Sequence, residues 1–255
     1  MPQLTLDQVT DAEIADSNWI SLYKIGAAAA LIVVMAALIE MIITFFPGAS
    51  TSPETVIDWF TLFQDNWFLG LRNLGLLNIV ITVLGIPTFF ALYAAHRRAN
   101  QAYAALAMIT SFIGIAVFLA TNRAFPMLEL SSRYAAATTD AQRSMLVAAG
   151  QAMLSVGKSH TLGTFMGFLL SEVAGITISV VMLRSRIFSK VTAYAGILGF
   201  ALLLIFEICS SFVPALIGVA MVIAMGGGIL SMTWYILIAR RLLQLGSRVL
   251  KEEAQ

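Results

Sequence analysis

Six stretches of this chain are each long enough and apolar enough to cross a lipid bilayer. They lie at about residues 25–46, 70–95, 102–121, 161–183, 191–211 and 214–239. A membrane-spanning helix needs roughly 20 consecutive, mostly apolar residues. Helices and closed barrels are the structures that satisfy their backbone hydrogen bonds within lipid, and the sequence lacks the alternating strands of a barrel. We therefore predict an all-α integral membrane bundle of six transmembrane helices, forming one domain over residues 25–239.

The composition supports a membrane protein and argues against a nucleic-acid partner. Of the 255 residues, 59% are hydrophobic and 11% are charged, and the mean hydropathy is +0.88. Soluble domains usually carry about 25% charged residues. The net charge of +1 provides no broad basic surface, so we expect the lipid bilayer as the main partner and no nucleic acid.

The distribution of basic residues predicts the orientation. Lys and Arg are enriched in cytoplasmic loops. If both termini are cytoplasmic, the inner side carries Lys24, Arg97, Arg98, Arg184, Arg186, Lys190, Arg240, Arg241, Arg248 and Lys251, and the outer side carries Arg123, Arg133, Arg143 and Lys158. We therefore predict that residues 1–24 and 240–255 are cytoplasmic segments.

Two connections on the outer side have helical patterns. Over about residues 52–66, Ser52 is expected to cap a helix that lies in the membrane interface, with the apolar face of Phe60 opposite the polar face of Asp58. The connection over about residues 122–160 is also predicted to be helical.

Thr139 and Gln142 in the longer connection fit a capping box at the start of a helix. We expect this helix to pack over the outer mouth of the bundle. A gating lid or a substrate-docking helix is the alternative.

The sequence contains no catalytic signature. It has neither the HExxH motif of zinc hydrolases nor the GxSxG motif of a nucleophile elbow. His96 and His160 are predicted on opposite sides of the membrane, so they cannot share a metal ion. We therefore predict no catalytic residue, no metal site and no cofactor.

Polar side chains within the spans form the candidate site. An ionisable residue at the centre of a membrane helix costs on the order of 3 kcal/mol, so it usually faces the bundle interior and has a partner. Glu172, in the stretch GFLLSEVAGITI, is predicted near the midplane. The other candidate ligand-binding residues are expected in the outer half of the membrane: Glu40, Glu207, Arg72, Asn73 and Asn78.

Three interpretations of these polar residues stay open. One is a structural network in which Glu40 or Glu207 pairs with Arg72 or Arg123. Another is a polar cavity that opens outward and ends on Glu172, suited to a cation, a proton or a small polar ligand. The third is a lipid-exposed, protonated Glu172.

Small residues predict where helices pack closely, because a small side chain lets two backbones approach. In the fourth span they recur every four residues, at Gly163, Gly167, Ser171 and Gly175. In the sixth span they are consecutive, at Gly226, Gly227 and Gly228. The three consecutive glycines favour tight packing, and local unwinding of the helix is the alternative.

Several segments resemble a bacterial membrane family known as domain of unknown function 4386. They are RYAAATTDAQRSMLVAAGQAML, VVMLRSRIFSKVTAYAGILGF and WYILIARRLLQLG, within a resemblance over roughly residues 65–246. The resemblance implies a multi-pass protein of the bacterial cytoplasmic membrane. It implies no activity, cofactor or catalytic residue.

No motif assigns a function, and we predict a non-enzymatic accessory or structural component of a bacterial membrane. Its partners would then be other membrane subunits or a second copy of the chain. The alternative is binding or transport of an unidentified small ligand, an ion or a proton through an outward-facing polar pocket. A third hypothesis is an intramembrane enzyme that uses paired carboxyl groups as acid and base.

Overall fold

A computed structural model describes residues 19–45, 53–156 and 160–252, and these residues are almost entirely helical. In chain order the α-helices are α1 (Ile20–Phe45), α2 (Val56–Asp65), α3 (Trp67–Asn73), α4 (Leu76–His96), α5 (Gln101–Thr121), α6 (Ala124–Ala136), α7 (Asp140–Ser155), α8 (Phe165–Ser185), α9 (Lys190–Phe212) and α10 (Ile217–Glu252). A short 3-10 turn, Pro214–Leu216, joins α9 to α10. The described residues contain no strand.

Six segments of the described chain are long and apolar enough to cross a membrane. They comprise α1, α4, α5 with its continuation α6, α8, α9 and α10. Large aliphatic side chains remain exposed along them, as expected of surfaces that face lipid. The predicted fold class is confirmed: this is an all-α, multi-pass membrane protein.

The six spanning helices form a closed ring that follows chain order. Each of α1, α4, α5, α8, α9 and α10 packs against the next, and α10 packs against α1. Because the number of spans is even, α1 starts and α10 ends on the same side. We call this the inner side, following the prediction from the basic residues, and the opposite side the outer side.

The inner half of the ring is filled by a large apolar core. Trp234 of α10 is fully buried at its centre. Its ring centroid lies 5.0 Å from that of Phe200 on α9 and 6.5 Å from that of Phe89 on α4. These three aromatic residues connect opposite sides of the ring.

The outer side carries a second, smaller core formed by α2, α3 and α6. Val56, Phe60 and Phe63 on α2 are buried in it. Ser131 on α6 donates a hydrogen bond of 2.8 Å to the carbonyl oxygen of Phe60. The apolar face of α2 is thus covered by protein, and the position of this helix in the membrane interface stays a prediction.

The ends of these outer helices follow local capping rules. Thr55 caps α2 and forms a capping box with Asp58, whereas the predicted cap Ser52 lies outside the described residues. The capping box of Thr139 and Gln142 at the start of α7 is confirmed. Helix α7 packs against α6 and α2, and Gly150 on α7 allows the close approach to Val56.

A turn at Gly75 breaks the second predicted span. Its φ angle is 94°, in the left-handed region that side chains disfavour. The span therefore begins at Leu76 and not near residue 70, and Arg72 and Asn73 belong to the separate helix α3. These two candidates lie outside the spanning helix in which they were predicted.

Small residues on α8 contact two different neighbours. A Cβ atom at Gly167 would lie 3.0 Å from Cα of Phe118 on α5. The backbone nitrogen of Ser171 on α8 faces Gly114, which is also on α5. Further inward, Gly175 packs under the ring of Phe200 on α9. The contact passes from α5 to α9 because residues four apart drift about 40° around a helix.

Three of the small residues predicted to pack between spans do not do so closely. Gly163 precedes α8 and packs against Val156 at the end of the α7 segment. Helix α10 is uninterrupted at its three glycines. Gly227 is close to α9, since a Cβ atom at this position would lie 3.1 Å from the carbonyl oxygen of Gly199. The nearest atom to a Cβ at Gly226 is 3.7 Å away, and Gly228 has none within 4 Å.

We predict that Gly167→Leu destabilises the bundle and that Gly228→Leu does not. The first side chain would meet the backbone of α5, and overpacking of this kind costs about 1–3 kcal/mol. The second would enter open space on α10. Thermal unfolding of both variants in the same detergent measures the difference, and equal melting temperatures would contradict the packing described for Gly167.

Candidate functional site

A cavity of about 180 Å³ lies inside the ring, bordered by all six spanning helices. Phe89 and Phe200, which belong to the inner core, also border the cavity and close it toward that core. Most of the wall is aliphatic or aromatic. Each spanning helix contributes to the wall; one example from each, in chain order, is Val33, Thr82, Ser111, Glu172, Leu203 and Tyr235.

Glu172 of α8 is on the cavity wall and has a buried oxygen without a hydrogen-bond partner. That atom is Oε2. Among the described residues that border the cavity, Glu172 contributes the single carboxyl group, and none is Lys, Arg or His. Burial of a carboxyl oxygen without a partner is costly, so a donor that reached the carboxyl group of Glu172 would offset that cost.

Two hydroxyl groups of the wall already donate hydrogen bonds to the backbone of their own helices. Ser171 donates a hydrogen bond of 2.9 Å to the carbonyl oxygen of Gly167. Ser231 donates one of 2.9 Å to the carbonyl oxygen of Gly228. Tyr235 of α10 also borders the cavity and lies near Glu172. We therefore expect Glu172 and Tyr235 to make the strongest polar contacts with a ligand in the cavity.

A second carboxyl group lies toward the outer side of Glu172. Glu207 on α9 is buried, with 1% of its surface exposed, and it interacts electrostatically with Glu172. Its Oε2 lies 2.7 Å from Nδ1 of His160, whose side chain is 36% exposed. The pair thus connects a buried acid to a residue that reaches the surface.

The imidazole of His160 is held between two aromatic rings. Its centroid lies 4.2 Å from that of Phe168 and 5.0 Å from that of Phe206. The backbone of His160 has a φ angle of 62°, which is uncommon for a residue with a side chain. Phe168 also borders the cavity, so it separates the His160–Glu207 pair from the cavity interior.

The remaining candidate residues do not border the cavity. Glu40 lies one turn outward from the wall residue Ala37, and its Oε2 is buried without a hydrogen bond. Arg72 donates a hydrogen bond of 2.8 Å from Nη1 to Oδ1 of Asn73. Asn78 lies one turn outward from the wall residue Thr82 and is half-buried.

The ion-pair network predicted from the sequence is not formed by the described residues. Glu207 contacts His160, and neither Arg72 nor Arg123. Within the described ranges Glu40 has no ion pair, and Arg123 is buried with its Nε atom unpartnered. The observed pair differs from the predicted pairs because Arg72 belongs to the separate helix α3, whereas His160 and Glu207 lie near the outer ends of α8 and α9.

Sequence reasoning missed His160 as the partner of Glu207 and missed Tyr235 and Phe168 at the cavity. A signal for the first was present, because consecutive antiparallel spans bring the start of one close to the end of the next. His160 lies five residues before the start of α8, and Glu207 lies near the end of α9. The cavity itself had no comparable signal, since its wall residues are mostly apolar.

A metal site has no support in the part of the chain that the structure describes. It contains no group of three or more His, Cys, Asp or Glu side chains that could hold a metal ion. The arrangement of Glu172 and Tyr235 instead suits a ligand that donates hydrogen bonds or carries positive charge.

One protein-family model matches the chain over residues 64–239, and its description is Domain of unknown function (DUF4386). The match covers more than half of the chain. The chain belongs to this family. The DUF4386 match includes α4, α5, α8, α9 and most of α10, so it contains every wall of the cavity except α1. No match was found among curated proteins or among solved structures.

The membership confirms the resemblance seen in the sequence, and it assigns no activity to the DUF4386 chain. The case for a functional site therefore depends on the geometry of the cavity, Glu172 and the His160–Glu207 pair.

We predict that His160→Ala destabilises the protein more than Glu207→Leu. The first change leaves a fully buried carboxyl group without its partner, which costs about 1–3 kcal/mol. The second leaves a half-exposed imidazole that can still bind water. Melting temperatures in detergent, together with the double variant His160→Phe/Glu207→Leu, measure the effect. A greater loss for Glu207→Leu would contradict a buried carboxyl group held by His160.

Proposed function

We propose that this protein binds a small, largely apolar ligand with one cationic or hydrogen-bond-donating group in the cavity of the six-helix ring. The observation that carries the proposal is the unpartnered, buried Oε2 of Glu172 on an otherwise mostly apolar wall. Binding pockets for small molecules commonly combine an apolar lining with a few polar groups that fix the orientation of the ligand.

The size and the charge of the cavity narrow the ligand class. Apolar cavities of about 150 Å³ are able to hold a benzene molecule, and this cavity has about 180 Å³. A ring or short alkyl chain would contact Phe89, Phe200 and Leu203. Its amine or hydroxyl group would then reach Glu172 and Tyr235. An anionic ligand is disfavoured, since its charge would face a carboxyl group without a neighbouring cation.

The His160–Glu207 pair supports entry or proton exchange from the outer side. His160 reaches the surface, Glu207 is buried behind it, and Glu207 interacts with Glu172. Phe168 contacts His160 and borders the cavity, so rotation of these two rings would connect the cavity with the outer surface. We include this route in the proposal. We also propose a location in the bacterial cytoplasmic membrane, which is what the family resemblance of the sequence implies.

We further propose that the protein is not an enzyme. A general acid and base must reach the same reacting atoms, and Glu172 is the single carboxyl group among the described residues that border the cavity. An accessory role in a larger membrane assembly, which the sequence favours, stays a prediction. The cavity is the specific observation that makes ligand binding the stronger proposal.

We predict that 2-phenylethylamine raises the melting temperature of the purified protein in detergent. A ligand that binds the folded state stabilises it by RT ln(1 + [L]/Kd), about 2.7 kcal/mol at a hundredfold excess over Kd. Ethylbenzene and 3-phenylpropionate, which share the phenyl group, are expected to have smaller effects. The amine effect should be lost in Glu172→Gln and in Ala37→Leu, which fills the cavity.

Glu40→Gln is the matched control, because Glu40 is a half-buried acid outside the cavity wall whose Oε2 atom is also buried without a hydrogen bond. It should retain the response to 2-phenylethylamine. An equal response to the amine and the carboxylate, or an unchanged response in Glu172→Gln, would refute the role of Glu172. If the response were lost in Glu40→Gln and kept in Glu172→Gln, the ligand would bind at the outer half of α1 and not in the cavity, which would refute the proposal.

A further inference from the structure

A groove on the lipid-facing surface lies between α1 and α10 on the inner half of the ring. It encloses about 440 Å³ and its residues are all exposed. Leu31, Ile236 and Leu243 provide apolar walls, and Arg240, Gln244 and Ser247 form a polar edge along α10. The groove therefore offers a surface for an acyl chain beside groups that bind a charged headgroup.

Two consecutive arginines at this position have different surroundings. Arg241 turns into the bundle, where its Nε donates a hydrogen bond of 2.8 Å to the carbonyl oxygen of Ile187. Arg240 is exposed in the groove and makes no hydrogen bond or ion pair with the described residues. An uncompensated arginine on a lipid-facing surface is costly unless it reaches the interface or binds an anion.

The depth of Arg240 suits a lipid phosphate. A Cβ atom at Gly246 would lie 3.5 Å from the carbonyl oxygen of Ile20, the first residue of α1. Arg240 is six residues further outward, which corresponds to about 9 Å along the helix. Its flexible stem allows the guanidinium to extend toward the headgroup region, and a guanidinium binds phosphate oxygens through two hydrogen bonds.

The charge of the inner side also favours an anion. The described residues of that side include Lys24, Arg97, Arg98, Arg184, Arg186, Lys190, Arg240 and Arg241, and the acidic Glu252 lies at the end of α10, about 18 Å along the helix beyond Arg240. Basic pockets between membrane helices bind anionic headgroups. The basic residues of the inner side and the apolar walls of the groove thus both favour an anionic lipid.

We infer that the α1/α10 groove is a binding site for one anionic phospholipid, with the headgroup phosphate on Arg240 and an acyl chain along Leu31 and Ile236. This site is separate from the central cavity and does not depend on the proposed function. Gln244, one turn inward from Arg240, is positioned to donate a further hydrogen bond to the headgroup.

Native mass spectrometry of the full chain in a nonionic detergent tests the inference by titration with phosphatidylglycerol or phosphatidylcholine. We expect the wild type to retain one phosphatidylglycerol and to prefer it over phosphatidylcholine. Arg240→Gln should weaken phosphatidylglycerol binding about fivefold, the effect of one basic residue at a membrane surface. Arg240→Lys should keep most of the affinity.

Arg184→Gln is the control, since it removes an exposed basic residue of the same side on α8, which lies away from the groove. It should bind phosphatidylglycerol as the wild type does. Equal weakening in both glutamine variants would show a general charge effect and overturn the site. An unchanged Arg240→Gln variant, or equal binding of both lipids by the wild type, would overturn it as well.

Discussion

Close contact between helix backbones at small residues is the constraint on which the rest of the structure depends. Helices in lipid gain little from burying apolar side chains, because the lipid is equally apolar, so their association relies on packing and interhelical hydrogen bonds. The α5–α8 contact uses Gly114 and Gly167, and the α9–α10 contact uses Gly199 and Gly227. These contacts fix the distances between neighbours and thereby close the ring.

A closed ring of six helices leaves space at its centre that side chains must fill. In the inner half, Trp234, Phe200 and Phe89 provide the required volume. Further outward the wall is formed by smaller residues such as Ser111 and Gly85, and a cavity remains. The aromatic residues thus close the cavity on one side, and the polar chemistry of Glu172 is confined to the other. The sizes of the side chains inside the ring thus decide both where the cavity lies and where Glu172 can bind a ligand.

The sequence was sufficient to predict the fold class, the six spans and the capping box at Thr139, because each depends on local composition or spacing. It was less informative about the second span, where a single left-handed glycine, Gly75, separates two apolar helices. Glu172 was identified as exceptional, but its surroundings depend on residues from five other helices. The His160–Glu207 pair joins residues 47 positions apart, and periodicity within one helix carries no information about such a pair.

Closure of the ring by its first and last helices has a consequence for biosynthesis. Gly26 of α1 is in close contact with α4, and a Cβ atom there would also lie 3.6 Å from Leu242 of α10. About 170 residues separate the end of α1 from the start of α10, which a ribosome adds in roughly 10–35 s at 5–20 residues per second. Until α10 is made, α4 is the one neighbour that α1 can have in the ring, and lipid or the insertion machinery must cover its other face. The last of the six spanning helices to be synthesised is the one that completes the cavity.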